Sequence, residues 1–276
     1  MKYFKLAIIW LSLGVLSACT QDETLQTGHE KVTVQFSSIV TGEDGESISR
    51  ASGTIWTAND KIGIFMKKAG QDLAAESIVN NVSNISYKTV SGDGFFAPVQ
   101  TSEETYFPAL GSVDFIAYYP YTDNPAGYTY TVNVSDQSDL EAIDLLYSNN
   151  VLAANKVNPQ VKLQFDHVLS SIKFNISATN PASDLSGLKI TLKGLPTEAQ
   201  LDLRDGDLNI VQLSTADIEV QVSADGTTAE AIVLPVGLYA FDITFTLGSV
   251  SVTETINDMD LSAGSREVRN VMITGV

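Results

Sequence analysis

Hydrophobic and polar residues alternate along much of this chain with a period of two, and helical spacing is nearly absent. Residues 31–39 show the pattern first, with Val32, Val34 and Phe36 on one face and Thr33, Gln35 and Ser37 on the other. β-Branched and aromatic residues alternating with polar ones predict a half-buried strand. The same reading predicts strands at 61–66, 85–90, 113–121, 128–134, 161–165, 172–176, 188–192, 218–222, 229–234, 239–247, 249–256 and 267–273. The run at 113–121 differs in being apolar and aromatic almost throughout, and Pro120 ends it. Residues 142–147 fit a strand or a short helix equally well.

Turn chemistry separates these runs. Gly92-Asp93-Gly94 is a turn, and Asp205-Gly206 closes a predicted hairpin. Residues 155–160 (N-K-V-N-P-Q) break both periodicities and are expected to be a domain boundary. Many short strands with regular turns imply an all-β chain of two β-sandwich domains, here 31–157 and 158–276.

The first eighteen residues carry different chemistry. Lys2 and Lys5 precede an apolar run at 6–16, which is too short to span a bilayer and reads as a signal peptide. Cys19, the single cysteine, follows Leu16-Ser17-Ala18 in a pattern that resembles a bacterial lipoprotein lipobox. Such a cysteine is the expected lipidation site and new N-terminus, anchoring the precursor to a membrane through lipid such as palmitate. Residues 19–30 would form a leader, and Gln21-Asp22-Glu23 resembles an acidic export tag of surface-exposed lipoproteins. With no second cysteine there is no disulfide, so stability must come from the core.

Net charge is −17, and loss of Lys2 and Lys5 with residues 1–18 takes it to −19. A surface of that sign repels phosphate backbones and argues against nucleic acid as a partner. Catalytic patterns are missing: no Gly-x-Ser-x-Gly, no phosphate-cradling Gly-Lys-Ser/Thr loop, no His-Glu-x-x-His. With only His29 and His167 available, a histidine metal or nucleophile site is not expected, and His167 reads as structural. Asp136, Asp139, Glu141 and Asp144 crowd together without EF-hand spacing and read as a solvated face. The chain is therefore expected to be no enzyme and to hold no metal or cofactor.

Several segments taken in order resemble the fimbrillins of Bacteroidetes, lipoprotein-derived pilus subunits. They are Trp56 with Asn59–Phe65 (N-D-K-I-G-I-F), Phe95-Phe96, the run 113–121 (V-D-F-I-A-Y-Y-P-Y), Asp144-Leu145-Leu146, residues 161–172 (V-K-L-Q-F-D-H-V-L-S-S-I) and Leu261-Ser262-Ala263-Gly264. The resemblance covers nearly the whole mature chain and implies two transthyretin-like β-sandwiches. It further implies transport to the outer-membrane surface as a lipoprotein, followed by removal of the first strand by an arginine-specific protease. A neighbouring subunit's strand then fills the groove, which is β-augmentation. Carried onto this sequence, Arg50-Ala51 is the cut, after the polar loop that begins at Thr41, a setting where proteases act. Residues 31–50 are the removable segment, with Val32, Val34 and Phe36 as its plug, and the strand with Val268, Val271 and Ile273 is the donor. The implied partners are other pilus subunits, the protease, and a receptor on a host or bacterial surface. The second reading is a surface lipoprotein of the same architecture that binds glycans and does not polymerise. Exposed Trp or Tyr outside the core would favour it.

Overall fold

The computed structural model describes residues 31–41 and 56–274. Its first nine strands are β1 (Gln35–Thr41), β2 (Lys61–Lys68), β3 (Ile85–Thr89), β4 (Phe95–Pro98), β5 (Val113–Tyr119), β6 (Thr129–Asn133), β7 (Leu146–Ala154), β8 (Gln160–His167) and β9 (Ser170–Ala178). The rest are β10 (Lys189–Pro196), β11 (Glu198–Asp202), β12 (Leu208–Ile210), β13 (Thr215–Glu219), β14 (Gln221–Val222), β15 (Thr228–Val233), β16 (Gly237–Leu247), β17 (Val250–Leu261) and β18 (Arg266–Ile273). A short α-helix, α1 (Leu140–Ile143), precedes β7, so the ambiguous run at 142–147 is a helix end followed by a strand start.

The chain is nearly all β, as the alternation predicts. Strands β1, β4, β3, β2, β5, β7 and β8 pair in that order and close on themselves as a barrel. Three further sheets follow, ordered β13-β10-β16-β17, β14-β15-β9-β18 and β12-β11-β6. Two apolar cores result. One fills the barrel with Val34, Phe36, Val40, Trp56, Ile62, Ile64, Phe115, Leu163 and Phe165 among others. The other lies among the later sheets around Ile172, Phe174, Ile190, Leu192, Ile218 and Ile243.

Strand β5 explains its own composition. Phe115 and Ala117 face the barrel core while Ile116 and Tyr118 join the second core, so all seven of its residues are buried. A strand covered on both faces has no reason to alternate. Strand β2 does the same, with Phe65 turned toward the second core and Ile64 and Met66 toward the first.

Three expectations are corrected. Residues 155–159 are the turn between β7 and β8, Gln160 already belongs to β8, and β8 closes the barrel by pairing with β1 and β7. The chain passes from the barrel to the later sheets at Val168-Leu169, between β8 and β9. The run 218–222 is two strands: β13 pairs with β10, then the chain crosses at Val220 and β14 pairs with β15. Strand β6, early in sequence, leaves the barrel and pairs with β11.

Candidate functional site

Strand β1 occupies a slot between β4 and β8. It runs parallel to β8, from Gln35 opposite Gln160 to Thr41 opposite Asp166, and antiparallel to β4, with Phe36 opposite Phe96. Every other neighbouring pair in the barrel is antiparallel. Ahead of the strand, the Val34 N–H donates to Thr105 O at 2.9 Å, and Phe107 N–H donates to Val32 O at 3.0 Å. At its entry Gln35 N–H reaches Pro159 O at 2.9 Å, and beyond mid-strand Ser38 N–H reaches Gly94 O at 2.8 Å.

Side chains follow the pleat. Phe36, Ser38 and Val40 share the face of their β8 partners Val161, Leu163 and Phe165, all three of which are buried. Val34, Phe36 and Val40 are themselves buried, while Val32 packs half-exposed at the rim. The Phe36 ring meets Tyr87 edge-on at 4.9 Å and Phe115 at 5.3 Å. Burial of a Val or Phe side chain stabilises by about 1.5–3 kcal/mol, so these three residues hold the strand firmly. Burial pushes the Tyr87 hydroxyl pKa up, although that oxygen also accepts from Thr105 N–H at 2.9 Å.

The chain is described again from Trp56, which is buried and edge-on to Phe96, Tyr119 and Phe165. Beside it the predicted turn at Gly92-Asp93-Gly94 has positive φ at both glycines. A Cβ on Gly92 would come within 2.2 Å of Trp56 O, and one on Gly94 within 3.0 Å of Ser38 O. Only glycine lets this turn press against both the first strand and Trp56.

Strand β18 is held differently. It pairs parallel with β9 alone, from Arg266 opposite Ser171 to Ile273 opposite Ala178, and ends its sheet. Glu267, Arg269 and Val271 share the core face with Ile172, Phe174 and Ile176. Val268 and Met272 point outward and are exposed, and Asn270 Oδ1 accepts from Asn175 Nδ2 at 3.0 Å. Beneath the strand lies an open, mainly apolar cavity of about 330 Å³, walled by Phe174, Phe245, Val252 and Ile273 among others.

Of the residues singled out from sequence, the structure brings Val32, Val34 and Phe36 together in one slot and places Val268, Val271 and Ile273 on another strand. Within β18, Val271 and Ile273 face inward and Val268 faces out. Cys19, Arg50 and Ala51 lie outside the described residues. Val40 of the slot extends the alternation two positions past Ser38 and was readable from sequence; Thr105 and Phe107, which flank the strand, carried no sequence signal.

The acidic group disperses. Asp136 caps Ser138, Asp139 accepts from Ala142 N–H at the start of α1, and Asp144 Oδ1 lies 2.9 Å from His167 Nδ1. Among the described residues no three His, Cys, Asp or Glu side chains are grouped to hold a metal. Trp56, the one tryptophan among the described residues, is core, as are Tyr87, Tyr118, Tyr119 and Tyr147.

A model of the fimbrillin-like family matches residues 49–275. A Bacteroides uniformis protein that bears the name fimbrium subunit Fim1C is 29% identical over 258 residues, covering 90% of this chain and 80% of that protein. A crystal structure from Bacteroides uniformis, described as a cell adhesion protein, superposes with a TM-score of 0.74 at 27% identity, covering 88% of this chain and 94% of the other. Another cell adhesion structure, from Bacteroides ovatus, has a TM-score of 0.69 at 21% identity over 88% and 92% of the two chains, and shares the fold.

Proposed function

The chain belongs to the fimbrillin-like family, and on that premise we propose that it is an adhesive fimbrial subunit, exported as a lipoprotein on Cys19 and assembled by strand exchange after a cut at Arg50-Ala51. The observation that carries this reading is the placement of β1. It is the barrel's one parallel insertion, it supplies Val34, Phe36 and Val40 to the core, and the segment that joins it to Trp56 contains Arg50.

While that segment is intact, β1 is present at the high effective concentration of a tethered group, and an outside strand competes poorly. A cut at Arg50 turns residues 19–50 into a separate peptide. Its departure leaves β4 and β8 with unpaired backbone edges and opens the apolar face of Val161, Leu163 and Phe165. Exposed edges of this kind recruit strands. A neighbour's strand restores the ladder and refills the pockets, joining subunits into a fimbrium at the cell surface. The family resemblance assigns that donor role to the strand bearing Val268, Val271 and Ile273.

Incubation of the purified precursor with an arginine-specific protease, alone and with other subunits of the fimbrium, tests the reading. The expected result is a cut at Arg50 followed by boiling-sensitive oligomers on a gel. A clean cut that leaves the protein monomeric in both mixtures would count against it.

A further inference from the structure

We infer that the slot vacated by β1 takes a strand from a different protein and does not take β18 of a second copy of this chain. The inference rests on the strand-exchange reading above and specifies the partner for that groove.

The slot sets its own specification. Its inward positions are held by Val34, Phe36, Ser38 and Val40, and it is bounded on both sides, by β4 and by β8. Phe36 is 2% exposed and Val34 and Val40 are each 4% exposed. A charged group at these points has no path to water, and burying one unpaired is costly. Ser38 sits where Gly94 presses close, its Oγ donating to Gly94 O at 3.3 Å, so that position calls for a small residue.

Strand β18 fails this specification on both faces. Its core face begins with Glu267 and Arg269, which pair at 3.4 Å and remain 27% and 42% exposed because β18 sits at an open sheet edge. Arg269 Nε has no hydrogen-bond partner even there. The opposite face carries Arg266, Val268, Asn270 and Met272. In each register that fills the slot, Arg266, Arg269 or Asn270 falls where Val34 or Phe36 now sits. At its home sheet edge these groups reach solvent or partners, Arg266 pairing with Glu230 at 3.4 Å and Asn270 bonding Asn175. Between β4 and β8 they would not. The fitting donor is an extended segment with large apolar residues at three inward positions, a small one at the fourth, and no charge on that face.

The test uses the mature chain opened between β1 and Trp56, at Arg50 or at a site-specific protease sequence replacing residues 43–48. Three fluorescent peptides are offered: residues 31–41, residues 266–274, and residues 266–274 carrying E267V, R269F and V271S, the last placing a small residue at the Ser38 position. Uptake is followed by anisotropy and co-elution on gel filtration. The expected outcome is uptake of the first and third, with the second weaker by roughly a hundredfold, about 2.7 kcal/mol. Equal uptake of the first and second overturns the inference and leaves strand exchange standing. Failure of the first peptide to enter overturns strand exchange itself, and the inference falls with it.

Discussion

The ring of Phe36 stands edge-on to that of Phe115, their centroids 5.3 Å apart and their planes at 86°. One belongs to the strand proposed to leave and the other to β5, a strand that contributes to both cores. The contact ties the plug to the centre of the molecule, so the uncut chain is expected to depend on it. Phe36→Ala should destabilise the precursor by about 3–5 kcal/mol, read as a lowered urea midpoint. In the cut protein it should also shorten the residence time of the fragment. A variant with wild-type midpoint and residence time would show that the slot does not rely on this residue.

Asp114 on β5 is a second anchor, and its effect depends on pH. Its Oδ2 accepts from Lys67 Nζ at 2.8 Å and from Gly70 N–H at 2.8 Å, while Oδ1 accepts from Ala153 N–H at 2.8 Å. Burial pushes the carboxyl pKa up, but these bonds and the Lys67 charge outweigh it and hold the pKa below the usual range. The stabilisation is therefore fully present above the unfolded pKa of about 3.9 and is lost as pH falls through the lower folded value. Asp114→Asn leaves the buried Lys67 without its counter-charge, although its Nζ still donates to Gln71 O, and should cost about 3–5 kcal/mol near neutrality. Denaturant titrations at pH 6 and pH 3 should show the gap between wild type and variant narrowing at the lower pH.

Phe174 on β9 is 1% exposed and edge-on to Phe245 across the second core. Phe174→Ala should lower stability by about 3–5 kcal/mol in calorimetry or urea titration. An unmoved midpoint would mean that β9 is not the core strand it is described as.

Anchoring is tested separately. Cys19→Ala should leave an unprocessed protein that takes up no palmitate in labelled cells. Undiminished labelling of that variant would end the lipoprotein assignment.

The strands were legible because alternation reports which face of a segment is buried. Val34 and Phe36 were read correctly as one buried face, and Asp205-Gly206 as the turn between β11 and β12. Alternation does not report the partner, because pairing is set by contacts far apart in sequence. Nothing in Phe36 or Val161 announces that they pair in parallel, and nothing in 128–134 announces β11. The same gap misplaced the boundary at 155–160, where Asn and Pro signal a turn without saying whether it joins two domains or two strands of a hairpin. The readings of Cys19 and Arg50 rest on motif and order alone, and both residues lie outside the described ones. What the structure adds is the two-sided slot around β1 and the charged core face of β18.

If cutting the connection after β1 permits exchange, Arg50→Ala should block it. Wild type and variant, each lipid-free and carrying residues 19–276, are treated with an arginine-specific protease in the presence of a fitting donor strand. Light scattering and non-boiled gels then follow assembly. The wild-type protein is predicted to lose residues 19–50 and capture the donor, whereas the variant stays folded, uncut and monomeric with β1 in place. An Arg50→Ala protein that assembles as readily as wild type would contradict cleavage-triggered strand exchange.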